Sequence, residues 1–341
     1  MERNSDAPGT LYPVFVATNR LPEAGDLGPR RDEALRLTKI NVSVPAARRP
    51  GEIRIGRADT NPALTFHAES ATHFSSFSQF RTSLNRELSR RPRGQREVIF
   101  YVHGFNNTFA EGVYRLAQLK HDLRLPAVGV HFSWPSSANP LGYGYDRDSI
   151  LVARDALERT LRETAQAGAD DIVVVAHSMG ALLVMETLRQ MAIADPRAPQ
   201  AAVSSVVLIS PDIDIDVFRA QARRIGKLPQ PFIIFVSQKD RALRLSARLT
   251  GQESRLGNIE DAEDLAEFDI TLLDVTGFSS GIGHFTAGTS PALIGLLGQL
   301  AEVDRAFEQD RAGRAGLVPG TVLTVQNATQ VILTPAAALG R

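Results

Sequence analysis

The apolar residues in the first part of the chain occur in short runs separated by proline and glycine. Runs of this kind are typical of strands joined by turns, and they fall at residues 14–18, 39–44, 52–55 and 64–67. One helix is also predicted, because apolar residues recur every three or four positions ahead of Pro92. These residues are Phe77, Phe80, Leu84 and Leu88. We expect residues 1–95 to supply strands and one helix that complete a sheet edge.

From Glu97 onward, nearly continuous apolar runs alternate with helical stretches. The runs fall at 98–102, 128–132, 172–176, 203–209, 232–236 and 270–275, and helices are predicted at 110–123, 148–165, 180–193, 217–225, 242–249 and 291–307. Strands that lack polar alternation are buried on both faces, which is typical of a parallel sheet covered by helices. The pattern therefore predicts an α/β fold with a doubly wound, mostly parallel sheet over residues 96–310. In the tail, 311–341, two apolar runs at 321–325 and 330–333 are expected to pair as a small hairpin.

Composition and charge narrow the classes of function. With 341 residues, 43% of them hydrophobic, the chain can bury a core that needs neither disulfides nor a structural metal. It contains no cysteine, which excludes a thiolate metal site and a cysteine nucleophile. The 38 Lys and Arg balance the 38 Asp and Glu, so no global field attracts nucleic acid or an anionic membrane. We expect no metal and no cofactor.

The cellular location is predicted from the N-terminal residues and from the lengths of the apolar runs. The first residues lack the apolar stretch of a secretory signal, and no run is long enough to span a bilayer. We therefore expect a cytoplasmic protein without a membrane span, with a removed leader left open. The expected partner is a small-molecule substrate, and the sequence leaves the choice between monomer and homo-oligomer open.

Ser178 stands between a predicted strand and a predicted helix, with the small residues Ala176 and Gly180 on either side. This spacing is typical of a nucleophile elbow, a tight turn that raises a serine hydroxyl above the sheet. The usual pattern is G-x-S-x-G, and here Ala176 replaces the first glycine. The alternative is a serine that only caps the following helix, since serine is a favoured N-cap residue.

A serine nucleophile needs a histidine base and an acid on neighbouring loops. His284 follows the last predicted strand of the parallel region in a glycine-rich loop, which agrees with the chain order serine, acid, histidine. Asp240 follows the penultimate strand and is the first candidate for the acid. Asp214 and Asp212 follow the strand before it and remain alternatives.

The turn after the run at 98–102 can supply donors for a developing oxyanion. This run leads directly into His103 and Gly104, and a glycine turn at a strand end can aim the backbone N–H of Phe105, or of Asn106, at a developing negative charge. The N–H of Met179 lies at the start of the predicted helix after Ser178, where the helix dipole favours negative charge. We expect these N–H groups to form an oxyanion hole.

Several short motifs together resemble a known family. They are Thr18-Asn-Arg20, Val102-His-Gly-Phe-Asn-Asn-Thr-Phe109, Phe132-Ser-Trp-Pro-Ser136, Tyr145-Asp-Arg-Asp148, Ala176-His-Ser-Met-Gly180, Ser210-Pro-Asp212, Ser237-Gln-Lys-Asp-Arg-Ala-Leu243 and Gly283-His284. With these motifs the chain resembles the α/β-hydrolase superfamily and, within it, the DUF900-type group of bacterial α/β hydrolases. The resemblance implies a catalytic triad of Ser178, Asp240 and His284, with Phe105 and Met179 as oxyanion donors.

The substrate is expected to be a small or medium-chain ester. Only residues 210–231 separate two of the predicted strands, which leaves no room for a large cap domain and implies an open site. The candidate substrate-binding residues are Asn106, Trp134, Tyr143 and Tyr145, with Trp134 alternatively a packing residue. We expect a serine carboxylesterase that acts through an acyl-serine. The alternatives are a thioesterase, amidase or acyltransferase with the same triad, or a non-catalytic binding protein of this fold.

Overall fold

The computed structural model describes residues 9–23, 26–56, 61–251, 255–260, 262–279, 283–294, 320–325 and 328–333. The strands are β1 (Gly9–Glu23), β2 (Asp26–Pro45), β3 (His67–Phe74), β4 (Glu97–Val102), β5 (Val128–Ser133), β6 (Asp171–His177), β7 (Ser205–Ile209), β8 (Phe232–Val236), β9 (Ile270–Asp274), β10 (Gly320–Val325) and β11 (Ala328–Leu333). The helices are α1 (Phe77–Leu88), α2 (Phe109–Asp122), α3 (Tyr143–Ala165), α4 (Met179–Ala194), α5 (Ala198–Ala202), α6 (Ile215–Ile225), α7 (Arg241–Leu249) and α8 (Thr286–Thr289).

The described strands form one eleven-stranded sheet in the order β10-β11-β9-β8-β7-β6-β4-β5-β1-β2-β3. All neighbours from β11 to β1 are parallel, whereas β10–β11, β1–β2 and β2–β3 are antiparallel. The predicted α/β fold with a mostly parallel sheet is therefore confirmed. The hairpin of β10 and β11 extends this sheet, because β11 pairs with β9.

The alternation of side chains along β4 shows how the sheet is covered on both faces. Phe100 and Val102 lie in a core cluster that also contains residues of α1, α3, α4 and α6. The alternate residues Ile99 and Tyr101 lie in a second cluster formed with α2. A central strand with two buried faces has no solvated side, which explains why its sequence is apolar throughout.

The N-terminal hairpin is longer than the apolar pattern indicates. The segment Val14–Thr18 is where β1 pairs in parallel with β5, and it coincides with the predicted run at 14–18. The rest of β1 and β2 forms an antiparallel ribbon with many exposed side chains. The predicted run at 64–67 begins in a 3₁₀ turn, Pro62–Leu64, and the polar edge strand β3 begins at its last residue and extends beyond it. Of the run at 52–55, Ile55 forms a bridge, with Phe66. Edge strands show no apolar run because little of them is buried.

The parallel strands bring their carboxyl ends to the same edge of the sheet, and the loops that follow them lie next to one another. Helix α3 begins at Tyr143, ahead of the predicted start at residue 148, so the loop after β5 is short. Of the predicted helix at 291–307, residues 291–294 are helical and the remainder lies outside the described residues. No described helix is both long and apolar enough to cross a membrane.

Candidate active site

Ser178 occupies a strained turn between β6 and α4. Its backbone has φ 52° and ψ −123°, in a region that non-glycine residues rarely adopt. The turn is fixed by backbone hydrogen bonds: the N–H of Ser178 donates to the carbonyl of Ile209 at 3.0 Å, and its own carbonyl accepts from the N–H of Asp212 at 3.2 Å. The hydroxyl makes no capping bond to α4, so the capping alternative does not describe its position.

The small residues around Ser178 allow the end of β4 to approach it closely. A Cβ atom added to Gly180 would lie 2.2 Å from the carbonyl oxygen of His103. A Cβ atom added to Gly104 would lie 2.8 Å from the Cβ of Ser178. The position of Ala176 differs, because its methyl group is fully buried in the core and fits there. Glycine at position 180 therefore allows α4 to pack closely against the end of β4. At position 176, where the usual pattern has glycine, alanine fits.

Three side chains from three loops form a continuous hydrogen-bonded array at the carboxyl edge of the sheet. Nε2 of His284 lies 2.8 Å from Oγ of Ser178, and Nδ1 of His284 lies 2.8 Å from Oδ2 of Asp240. Asp240 is fully buried, and its other oxygen accepts the N–H of Leu243 in the first turn of α7 at 3.0 Å. These contacts fix the acid at both oxygens and leave the histidine between the acid and the serine.

The other two candidate acids have different partners. Asp212 accepts hydrogen bonds from Ser246 at 2.7 Å and from Tyr143 at 3.0 Å, and it forms a buried ion pair with Arg255 at 3.2 Å. Asp214 caps α6 by accepting the N–H of Val217. Asp240 is thus the candidate carboxylate that the structure brings to His284, while Asp212 lies behind Ser178 through its backbone bond.

His284 is supported by aromatic neighbours that the sequence did not point to. The ring of His177 lies 4.8 Å from the ring of His284 and 4.4 Å from that of Phe285, and its Nε2 donates to the His284 carbonyl at 3.3 Å. Burial, reinforced by the nearby His284, holds the pKa of His177 well below its usual range. His177 is therefore neutral near pH 7. The only sequence signal for this contact is its place next to Ser178.

Phe105 lies in the turn after β4, which approaches Ser178 closely at Gly104, and Met179 directly follows Ser178 at the start of α4. Met179 is the first residue of α4, so its N–H has no acceptor within the helix. Among the described residues, neither the N–H of Phe105 nor that of Met179 donates to a protein acceptor. Asn106 has φ 56°, and its N–H faces the carboxylate of Asp146 at 3.4 Å. Of Phe105 and Asn106, only Phe105 therefore has an N–H without an acceptor among the described residues.

The three predicted aromatic substrate-binding residues lie in different places. Tyr143 is partly buried, packs edge-on against Phe105 with ring centroids 5.6 Å apart, and burial raises its pKa to about 12, with Asp212 adding to the shift. Trp134 is fully buried, stacks on His103 at 4.9 Å, and has no exposed surface for a substrate. Tyr145 is exposed, with the Arg31 guanidinium over its ring at 4.1 Å and its hydroxyl donating to the Pro29 carbonyl. Of the three, Tyr143 is the one that contacts Phe105 and Asp212, the residue whose N–H bonds the Ser178 carbonyl.

The described residues contain no group of three or more His, Asp or Glu side chains that could hold a metal ion. The array consists of a hydroxyl, an imidazole and a carboxylate, which are groups that can transfer protons and attack a carbonyl carbon. Such an arrangement can perform acyl transfer.

One family match covers most of the chain and agrees with this fold. Residues 76–300 match the family described as alpha/beta hydrolase of unknown function (DUF900). A putative YdeN-like hydrolase from Pectobacterium atrosepticum is 20% identical with a TM-score of 0.37, and the match covers 66% of this chain and 98% of that chain. Esterase 2 from Thermogutta terrifontis is 13% identical with a TM-score of 0.38, covering 81% and 92%. Lipase B from Aspergillus fumigatus is 12% identical with a TM-score of 0.38, covering 60% and 52%. No curated protein matches the chain.

Proposed function

The chain belongs to the DUF900 family of α/β hydrolases, and on that premise we propose that it is a serine carboxylic-ester hydrolase that acts through an acyl-Ser178 intermediate. The observation that carries the proposal is the unbroken series of contacts from Asp240 through His284 to Ser178, each of 2.8 Å. These distances lie within the range that proton transfer between a base and its nucleophile needs.

In the first half of the reaction, Nε2 of His284 accepts the hydroxyl proton of Ser178 while Oγ attacks the ester carbonyl carbon. The resulting imidazolium is stabilised by the buried carboxylate of Asp240, which also holds Nδ1 in its protonated form. The tetrahedral intermediate then collapses, the bond to the leaving alcohol breaks, and His284 returns the proton to the alcohol oxygen. Ser178 is left as an ester of the acyl group.

In the second half, water takes the place of the alcohol. His284 accepts a proton from the water, which attacks the acyl carbon, and then returns the proton to Ser178 Oγ as the carboxylic acid leaves. In both halves the negative charge on the carbonyl oxygen is stabilised by the N–H groups of Phe105 and Met179. Preorganised donors of this kind contribute most where charge develops in the transition state.

The open surroundings of the site favour small and medium-chain esters. The connection between β7 and β8 contains only the short helix α6, so no cap domain is inserted there. Tyr143 and Phe105, which is in the turn after β4, have partly buried rings that pack against each other. A site without a cap domain is suited to short acyl groups that need no enclosure.

The test is hydrolysis of p-nitrophenyl esters from acetate to palmitate by the wild type and by Ser178→Ala. We expect turnover that decreases with acyl length and falls at least about 10³-fold in the variant. Ser204→Ala is the matched control, because Ser204 Oγ accepts the N–H of Ile172 at the opposite edge of the sheet. Activity that survives in Ser178→Ala, or a folded wild type that hydrolyses no ester and does not react with a fluorophosphonate, would refute the proposal. Turnover of thioesters or amides alone would point to one of the alternative reactions.

A further inference from the structure

The turn formed by residues 103–107 after β4, here called the β4 turn, is held by side chains at most of its backbone polar groups. The carbonyl oxygens of His103 and Phe105 accept hydrogen bonds from Trp134 Nε1 at 2.7 Å and from Asn107 Nδ2 at 3.0 Å. The His103 ring places Nδ1 2.8 Å from the Gly104 carbonyl and Nε2 3.1 Å from that of Trp134, and a neutral ring donates to one of the two. The N–H of Asn107 donates to Ser136 Oγ at 3.2 Å. The N–H of Phe105 is the one group that a substrate oxygen needs, and it is left free.

Two buried charged side chains complete this support from opposite sides. Arg20, at the end of the parallel part of β1, is 1% exposed and donates to the carbonyls of Asn107 at 2.8 Å and Ser136 at 3.0 Å. Asp146, in the first turn of α3, is fully buried and accepts from Ser136 Oγ at 2.6 Å and from the N–H of Asn106. The β4 turn is thus clamped between a cation from β1 and an anion from α3.

Burying these two charged side chains costs free energy, and their hydrogen bonds to the β4 turn and to Ser136 offset that cost. A buried charge loses its hydration and must be compensated by partners. Burial lowers the pKa of Arg20 to about 10, and the nearby Asp146 counteracts part of this shift, so the guanidinium stays charged at neutral pH. Asn106 adds a left-handed backbone with φ 56°, a conformation that the surrounding contacts must hold in place. The buried charges and the left-handed residue thus both occur at the β4 turn, which carries the Phe105 N–H.

We propose that Arg20 and Asp146, bridged by Ser136, are positioning residues that hold the β4 turn with the Phe105 N–H aimed at the substrate oxyanion. The inference rests on the proposed function, because it concerns the transition state of acyl transfer at Ser178. A preformed hole needs no rearrangement when charge develops, and a displacement of about 1 Å in such a group costs about 100-fold in rate.

The experiment compares three substitutions with matched controls. Asp146→Asn removes the anion and keeps the shape, Arg20→Lys keeps the charge and loses the planar fork, and Ser136→Ala removes one hydroxyl. The controls are Asp148→Asn on the exposed side of the same helix, Arg31→Lys on β2, and Ser137→Ala, whose hydroxyl bonds, among the described residues, the carbonyl of Asn139 alone. Reactive Ser178 is first counted with a fluorophosphonate, so that kcat is expressed per labelled site.

For Asp146→Asn and Arg20→Lys we expect kcat per labelled site to fall about 10- to 100-fold with KM changed less than about threefold. The affinity for a trifluoromethyl ketone, which forms a tetrahedral adduct, should fall in parallel with kcat/KM. The midpoint of the pH–rate profile should not move, because the contacts of His284 are untouched. Controls should stay within about twofold. A merely structural role would lower the labelled fraction or Tm without changing kcat per site.

The inference is overturned if kcat per labelled site stays within about twofold of wild type in both Asp146→Asn and Ser136→Ala, even where Tm falls. If Asp146→Asn does not fold, Ser136→Ala decides, because it removes only one hydrogen-bonding atom. A wild type that is not labelled and hydrolyses no acyl substrate removes the proposed function, and this inference with it. Labelling with unchanged variants removes this inference alone.

Discussion

Replacing Gly180 with alanine tests how closely the helix after Ser178 must approach β4. The added Cβ atom would lie 2.2 Å from the His103 carbonyl oxygen and 2.9 Å from that of Val102. Real Cβ atoms do not come within 3.0 Å of such atoms, so the two backbones must separate by at least about 0.8 Å. Both obstacles are backbone atoms in the centre of the sheet, which cannot move aside as a side chain would.

The magnitude follows from which groups this displacement carries. Overpacking of a tight site costs about 2 kcal/mol, which lowers Tm by about 3 °C for a chain of this length. His103 precedes Phe105 and Gly180 follows Met179, so separating the backbones moves the two proposed oxyanion donors apart. A shift of nearly 1 Å in such donors is expected to lower kcat about 100-fold.

The assay measures Tm by calorimetry and kcat on p-nitrophenyl acetate, with Gly144→Ala as the matched control. Gly144 lies in the first turn of α3, and a Cβ atom added there meets nothing within 4 Å. Alanine is a better helix former than glycine, so Gly144→Ala should raise stability by about 0.5 kcal/mol and leave kcat unchanged.

The reasoning fails if Gly180→Ala keeps both its Tm and its kcat. The added methyl group would then fit between β4 and α4 without the predicted clash. A lowered Tm with an unchanged kcat would show that the positions of the Phe105 and Met179 N–H groups do not limit kcat. Stability should fall in Gly180→Ala and rise in Gly144→Ala. This difference in sign distinguishes the effect of the close backbone approach from a general effect of adding a methyl group.

Three further predictions concern the acid, the histidines and Tyr143. Asp240→Asn should lower kcat about 10³- to 10⁴-fold. Asp214→Asn should leave kcat unchanged, because asparagine caps α6 as well as aspartate does. Equal losses of kcat in steady-state assays would refute the assignment of Asp240 as the acid. Burial lowers the pKa of three histidines, so the stability that each neutral ring contributes is complete above the unfolded pKa of about 6.5 and is lost as the pH falls toward the folded pKa. The three histidines are His103, His131 and His177. For His131, whose pKa is lowered to about 3, urea unfolding should show a loss of about 1.4 kcal/mol at pH 5.5, to which the other two add; a flat profile would contradict this. Tyr143→Phe should cost about 1 kcal/mol in the same assay by removing a bond to Asp212, and no change would show that water replaces it.

The central fold could be predicted from the sequence because its strands are buried on both faces. The run at 232–236 coincides with β8, and helix α1 begins and ends where the spacing of its apolar residues predicts. The N-terminal hairpin was underestimated, because its outer residues are solvated and carry no apolar signal. Helix α3 starts earlier than expected, since its first turn, with Gly144 and Tyr145, is outside the apolar stripe.

For the candidate site, chain order identified the right loops but not the contacts within them. Ser178, Asp240 and His284 follow separate strands, and a parallel sheet brings strand ends together wherever they fall in the sequence. What the sequence could not show is which side chains support the loops. Trp134 looked suited to a pocket and instead packs under the β4 turn. Arg20 looked like one residue of a motif and is buried against that turn, because its partners come from elements far away in the chain.

The two strained residues of the site are stabilised in different ways, and this makes their contributions separable. The turn at Ser178, with φ 52°, is held by backbone bonds to Ile209 and Asp212, which no side-chain substitution removes. The turn at Asn106 is held by the charged side chains of Arg20 and Asp146. Substitutions in this second group should therefore slow oxyanion formation while leaving the nucleophile in place. Loss of reactivity and loss of transition-state stabilisation should thus arise from different residues on the same sheet edge.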